Sequence, residues 1–211
     1  MMGQAKQRRM AQERVNALFS EIDLARVAGA VQRVCAAASG NLGVDCFDQA
    51  LLAQSVLQRL GVHAEIVIGY AAWRVGPGGG DVISHFPSSD TIVADGGAFF
   101  HAWLRMGESI FDVTTNTLRL KAQLLDAQDG GSTMVTWEPQ YLWMPMADSR
   151  SLGEVTMGMR GGIVSYLPHP ALQRYVELTR KPSDGYHEDV AWAAYLAPDA
   201  RVLGPNSRMA A

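Results

Sequence analysis

The chain has 211 residues, of which 48% are hydrophobic and 18% charged, and its formal net charge is −3. That length and apolar share suffice for a sizeable core, expected as a single domain over residues 1–211, and exclude wholesale disorder. The slight acidity gives no reason to expect a nucleic-acid surface, two cysteines do not make a disulfide scaffold, and no apolar run reaches membrane-spanning length. The N-terminus lacks the hydrophobic core of a signal peptide, so a reducing cytoplasm is the default compartment. Delivery as a secreted effector is the other route, since some export needs no cleavable leader.

Residues 1–14 carry Lys6, Arg8, Arg9 and Arg14 against Glu13, a basic arm that reads first as a solvated, frayed helix start and second as a contact for a protein partner, RNA or lipid. Met10, Val15, Leu18 and Phe19 recur at helical spacing, and Leu24, Val27, Val31 and Val34 form a second stripe, with Glu21-Ile22-Asp23 separating two helices. Ser39, Gly40 and Asn41 break the pattern. A helix rich in apolar residues then runs from Cys46 through Leu60 and stops at Gly61. After it the period changes to that of strands. Residues 64–73 read as a strand, Pro77–Gly80 as a flexible connection, and the segment through Pro87-Ser88-Ser89-Asp90 as a surface excursion. Residues 98–106 and 109–114 form a hairpin turning at Met106-Gly107. A short helix over 121–128, a strand with irregular structure over 134–143, and helices near 169–180 and 187–196 complete an α+β chain: early helices, an antiparallel sheet, late helices.

Cys46, His101 and Asp112 arrive in the order that a thiol nucleophile, its base and an orienting acid require. A cysteine at a helix start has its thiolate favoured by unpaired backbone amides and the helix dipole. With Met106 and Gly107 as loop residues, His101 faces Asp112 directly across the hairpin. The bland alternatives are a buried small cysteine, a histidine bonded to a backbone carbonyl and an aspartate bracing a turn.

The stretch from Cys46 to Thr114 resembles the catalytic region of the transglutaminase-like superfamily, within the papain-like cysteine hydrolases. The resemblance is carried by Cys46 before an apolar helix, Leu60-Gly61-Val62-His63-Ala64-Glu65 leading into Val67-Ile68-Gly69-Tyr70, His101-Ala102-Trp103, and Phe111-Asp112-Val113-Thr114. It implies a papain-like core over 38–120 and a triad of Cys46, His101 and Asp112 acting through a thioester. The substrate is then a peptide, a protein side chain or a small acyl or amide compound, and no cofactor is needed. Asp45 and Phe47 flank the thiol where many transglutaminases have Gln and Trp, and no EF-hand-like loop is present, which argues against a calcium-dependent crosslinker. The expected activity is an acyl hydrolase or peptidase. The alternatives are an amide-forming acyltransferase and an inactive interaction protein on the same scaffold.

The Cys46 backbone N–H is the first oxyanion candidate, and Asn41 the second if its turn folds back. Tyr70, Trp73, His85 and Trp103 are candidates for a substrate cleft, against ordinary packing or, for His85, a surface place. Cys35 reads as core, and His169 and His187 as structural or surface residues. No spacing of Cys, His and acid residues matches a metal motif.

Overall fold

The computed structural model describes residues 22–87, 93–94 and 97–207. The basic arm and the first helical stripe lie outside the described residues, as do Ser88, Ser89 and Asp90 of the excursion. Helix α1 (Leu24–Ala38) opens where the Asp23 carboxylate accepts the Arg26 amide at 2.9 Å. It buries Val27, Val31 and Val34, the stripe read in the sequence. Helix α2 (Cys46–Arg59) follows the turn at 39–45 and ends before Gly61, whose φ of 76° is a left-handed conformation that glycine adopts without strain. No described helix is long and apolar enough to cross a membrane.

The sheet is antiparallel, built on the ten-residue strand β1 (Glu65–Arg74). Around it lie β2 (Val82–Ser84), β5 (His101–Met106), β6 (Ser109–Asp112), β7 (Leu142–Pro145) and β8 (Val164–Pro168). A separate two-stranded pair, β3 (Val93–Ala94) with β4 (Gly97–Ala98), stands outside it. The main path runs β2-β1-β5-β6-β7, with β8 also on β1. Ala72 and Trp73 pair with both β2 and β8, and Gly69 pairs with both β5 and β8. Strands β2 and β5 therefore succeed one another along a single edge of β1, opposite β8. That placement brings the chain just after β2 against the start of β5.

Gly69 sits where the two ladders overlap. A Cβ there would meet the Leu167 carbonyl oxygen at 2.1 Å, a backbone atom that cannot swing away. Gly69→Ala is expected to destabilise the fold by at least about 2 kcal/mol, read by denaturant unfolding. An unchanged midpoint would contradict the β1–β8 approach.

Alternation along β5 divides two cores. Ala102, Leu104 and Met106 join the cluster under α1 and α2, with α5 (Pro170–Thr179) and α6 (Tyr186–Leu196) closing over it. Trp103 joins Trp73, Ile110, Tyr166 and the buried flank of α3 (Leu118–Asp129) on the other face. A last short helix, α4 (Leu152–Met157), directs its final carbonyls at the fully buried Arg74, whose guanidinium donates to Val155 O at 3.0 Å and to Thr156 O.

The β5–β6 register differs from the sequence expectation. Met106 pairs with Ser109 and Leu104 with Phe111, so the loop is Gly107-Glu108, with Gly107 at φ 60°. A two-residue turn needs a positive φ, and glycine at its first position supplies one. Moving the turn by one residue moves the pairing by two. Asp112 therefore falls level with Trp103 rather than His101, but the period of two keeps it on the imidazole's face.

Candidate active site

Cys46 occupies the first turn of α2, at the sheet end where β5 begins, and its Sγ lies 4.0 Å from the Phe100 carbonyl oxygen. The thiol is 5% exposed. Asp45 precedes the helix, but its carboxylate turns to the Gly43 amide at 3.2 Å and the Gln49 side-chain amide at 2.8 Å, giving no side-chain cap. The first helical amides, that of Cys46 included, are not spent on an N-cap side chain.

His101 Nε2 and Asp112 Oδ2 are 2.8 Å apart and both side chains are fully buried. Asp112 is held from every side. Its Oδ1 accepts the Thr114 amide at 2.9 Å and the Thr114 hydroxyl at 2.8 Å, and Oδ2 also accepts the Tyr166 hydroxyl at 2.7 Å. Tyr166 in turn accepts the Trp73 indole N–H at 2.9 Å. With Nε2 engaged by Asp112, Nδ1 is buried and makes no hydrogen bond of its own. The Cys46 sulfur is nonetheless among the groups that favour the charged ring, behind Asp112.

The electrostatics draw the pair together. Burial pushes the Cys46 thiol up, but the neighbouring His101 imidazole, with smaller help from Lys121 and the Ala102 amide, outweighs it and leaves the thiol lowered. Burial pushes His101 down, and the charge and hydrogen bond of Asp112, then Cys46, raise it overall. Burial likewise opposes ionisation of Asp112, yet His101, Lys121 and the Thr114 amide hold it well below the usual carboxylate range. Tyr166 stays protonated, raised by burial and by Asp112, and so remains a donor. The thiol is thus lowered and the imidazole raised, each against its own burial.

Lys121 was not foreseen. It lies on the buried flank of α3, 4% exposed, with Nζ 5.1 Å above the Trp73 ring and no hydrogen-bond partner. Its charge reaches both Cys46 and His101. Lys121→Met keeps the stem and removes the charge, and is expected to move the Cys46 alkylation profile to higher pH. An unmoved profile would show that the ammonium serves only the aromatic ring.

Several sequence candidates sit elsewhere than expected. Trp73 and Trp103 are 0% and 1% exposed, so they wall no open cleft. They bed the imidazole instead: Trp73 meets His101 edge-on at 4.8 Å and Trp103 lies parallel to it at 6.1 Å. Their apolar area is worth more buried than at a pocket wall. Tyr70 is buried against Phe86 at 5.3 Å and His169 at 5.1 Å, and is likewise not a cleft wall. His85 is drawn in beside the site, with its ring 5.3 Å from that of His101. Asn41 is exposed in the turn before α2, accepting the Val44 amide on its carbonyl at 2.9 Å. It lines a cleft formed by α1, α2 and residues 180–188, whose walls include neither Cys46 nor His101, so it is not placed as an oxyanion donor. Cys35 is core, and its thiol is pushed up by burial and then by Asp45 and Asp48. His169 caps α5, accepting the Leu172 amide at 3.2 Å. Tyr166 lies outside the 38–120 span read as the catalytic core, which therefore draws on the C-terminal third. Among the described residues no group of His, Cys, Asp and Glu could hold a metal ion.

No family model matches the chain, and no curated protein matches it. A crystal structure described as a genomics target is similar in fold, with a TM-score of 0.58 and 16% sequence identity over 89% of this chain and 82% of its own. That likeness concerns the fold.

Proposed function

We propose that the protein is a cysteine-dependent acyl hydrolase or peptidase, working through Cys46, His101 and Asp112 on a transglutaminase-like variant of the papain-like fold. The observation that supports this reading is the buried His101–Asp112 pair, whose imidazole lowers the thiol of Cys46 at the start of α2. His101 holds Asp112 at 2.8 Å through Nε2 and is left only Nδ1 for Cys46, whose thiol is lowered in spite of burial. A structural cysteine in the same degree of burial is expected to be raised, as Cys35 is.

In the proposed cycle the Cys46 proton already rests on His101 Nδ1, and the thiolate sulfur bonds to an acyl carbon. The carbonyl oxygen becomes an oxyanion, directed at the Cys46 N–H and the positive end of α2. Collapse breaks the bond to the amine or alcohol, which leaves with the proton from His101. Water then gives a proton to His101 as it attacks the thioester, and the thiolate departs. Asp112 keeps the ring oriented and stabilises its charged form, while Tyr166 and Thr114 keep Asp112 ionised and fixed.

Intact-mass analysis after exposure to peptides, esters and acyl thioesters tests the reading. The expected result is an acyl adduct on Cys46 that water discharges, absent in Cys46→Ala. Turnover by Cys46→Ala would overturn it, and an adduct discharged only by amines would reassign the protein to acyl transfer.

A further inference from the structure

The peptide group between Phe100 and His101 is held by a residue that the cycle above leaves without a part. The backbone N–H of His85 donates to the Ala71 carbonyl at 2.8 Å, carrying the β2–β1 ladder one residue past Ser84. Because β2 and β5 share that edge of β1, His85 is delivered to the start of β5. There its Nδ1 lies 3.1 Å from the Phe100 carbonyl oxygen, the same oxygen that Cys46 Sγ approaches at 4.0 Å. Trp73 packs edge-on to both imidazoles, at 5.5 Å from His85 and 4.8 Å from His101.

A carbonyl oxygen can only accept, so His85 Nδ1 carries the proton and donates it. Burial, then the charges of Lys121 and His101, hold the ring well below the usual histidine value against the opposing pull of Phe100 and Asp112. His85 therefore donates as a neutral ring. The oxygen it holds belongs to a rigid peptide plane that ends at the His101 Cα. Pairing of β5 with β1 begins at His101, opposite Gly69, and Phe100 stands one residue before it. Asp112 fixes His101 at the tip of its ring, through Nε2, and His85 fixes it at the backbone. The same oxygen bears on the sulfur. It attracts an S–H and repels an S⁻, and so favours the protonated thiol; an N–H donated to it offsets part of that preference.

We propose that His85 is a positioning residue for the Cys46–His101 pair: by donating Nδ1–H to the Phe100 carbonyl, it holds the peptide that carries His101 and turns that carbonyl's pull away from the Cys46 proton. His85 acts through Phe100 and exchanges no proton in the cycle. This rests on the acyl-hydrolase reading, in which the thiolate is the attacking species. Both consequences of the hydrogen bond run the same way. A His101 displaced by a loose peptide and a Phe100 oxygen left open to the S–H each reduce the share of Cys46 present as thiolate.

Iodoacetamide alkylation of the full chain across pH, with the Cys46 adduct followed by peptide mass, reads that share without a substrate. Two variants separate the hydrogen bond from the ring. His85→Asn keeps an N–H at the Nδ1 position and discards the ring; His85→Phe keeps a ring against Trp73 and removes the donor. His85→Asn is expected to follow the wild-type profile within a few-fold. His85→Phe is expected to move it upward by about one pH unit, the scale of one hydrogen bond acting on one protonation state, and to slow Cys46 alkylation about tenfold at the acid end. His85→Leu makes the same comparison should thermal unfolding show that His85→Phe does not fold. A wild-type profile in a folded variant without the donor would overturn the proposal. An equal shift in His85→Asn and His85→Phe would also overturn it, since the ring's packing would then be what matters. A wild-type Cys46 that reacts only at alkaline pH would overturn the acyl-hydrolase reading and the proposal with it.

Discussion

His101→Gln is expected to lower turnover of an acyl substrate by about 10³-fold while leaving the protein folded. A glutamine amide can still donate to Asp112 across the 2.8 Å gap that Nε2 now spans, so the buried carboxylate keeps its fourth partner. What disappears is the Nδ1 lone pair and the charge that lowers the Cys46 thiol. Alkylation of Cys46 at neutral pH should therefore fall with turnover, and its profile should move toward that of an ordinary buried thiol. Steady-state kinetics with thermal unfolding on the same samples check both halves. A variant keeping more than about a tenth of wild-type turnover would show that the proton is taken by another group.

Asp112→Asn carries the second large effect, and it damages fold and chemistry together. The carboxylate accepts from four donors: His101, the Tyr166 hydroxyl and both groups of Thr114. An amide presents N–H₂ to at least one side of that set, leaving donor against donor in a fully buried place. A loss of roughly 3–5 kcal/mol follows from stranding the partners of a buried charge. The imidazole is also freed to reverse its tautomer, which removes the lone pair facing sulfur. The pH dependence has a definite sign. Asp112 is depressed in the folded state, so its contribution is present above the ordinary carboxylate range and lost as pH falls below it. Asp112→Asn should flatten that acid limb of the stability curve. An acid limb of wild-type steepness would place the linkage on other carboxylates.

The fold's outline was legible because periodicity reports burial directly. The α1 stripe of Val27, Val31 and Val34 and the glycine stop after α2 needed no long-range information. The common face of His101 and Asp112 was legible too, since alternation fixes a face even when the turn is displaced. The displacement itself was not, because Met106-Gly107 and Gly107-Glu108 both offer a glycine and only the three-dimensional ladder chooses between them. Tyr166 and Lys121 were beyond local reading for a related reason. Tyr166 reaches Asp112 only because β8 lies against β1, across a sequence separation of 54 residues. Lys121 occupies one position of a helix whose mean pattern is polar, and nothing near it marks that position as buried beneath Trp73. Trp103 was drawn toward the cleft by its place two residues beyond His101 and Trp73 by its place at the end of the first strand, whereas both are accommodated in the core.

Selective alkylation of the two cysteines tests the central claim most directly. Cys35 and Cys46 are each 5% exposed, so access does not separate them, but burial and two aspartates raise the first while His101 lowers the second. Only the thiolate reacts. Iodoacetamide titrated from acid to alkaline pH, with the adducts mapped by peptide mass, should label Cys46 from below the ordinary thiol range and leave Cys35 unmodified until the protein is unfolded. Labelling of Cys35 before Cys46, or a Cys46 that reacts only at alkaline pH, would contradict the thiolate–imidazolium pair on which the proposed chemistry depends.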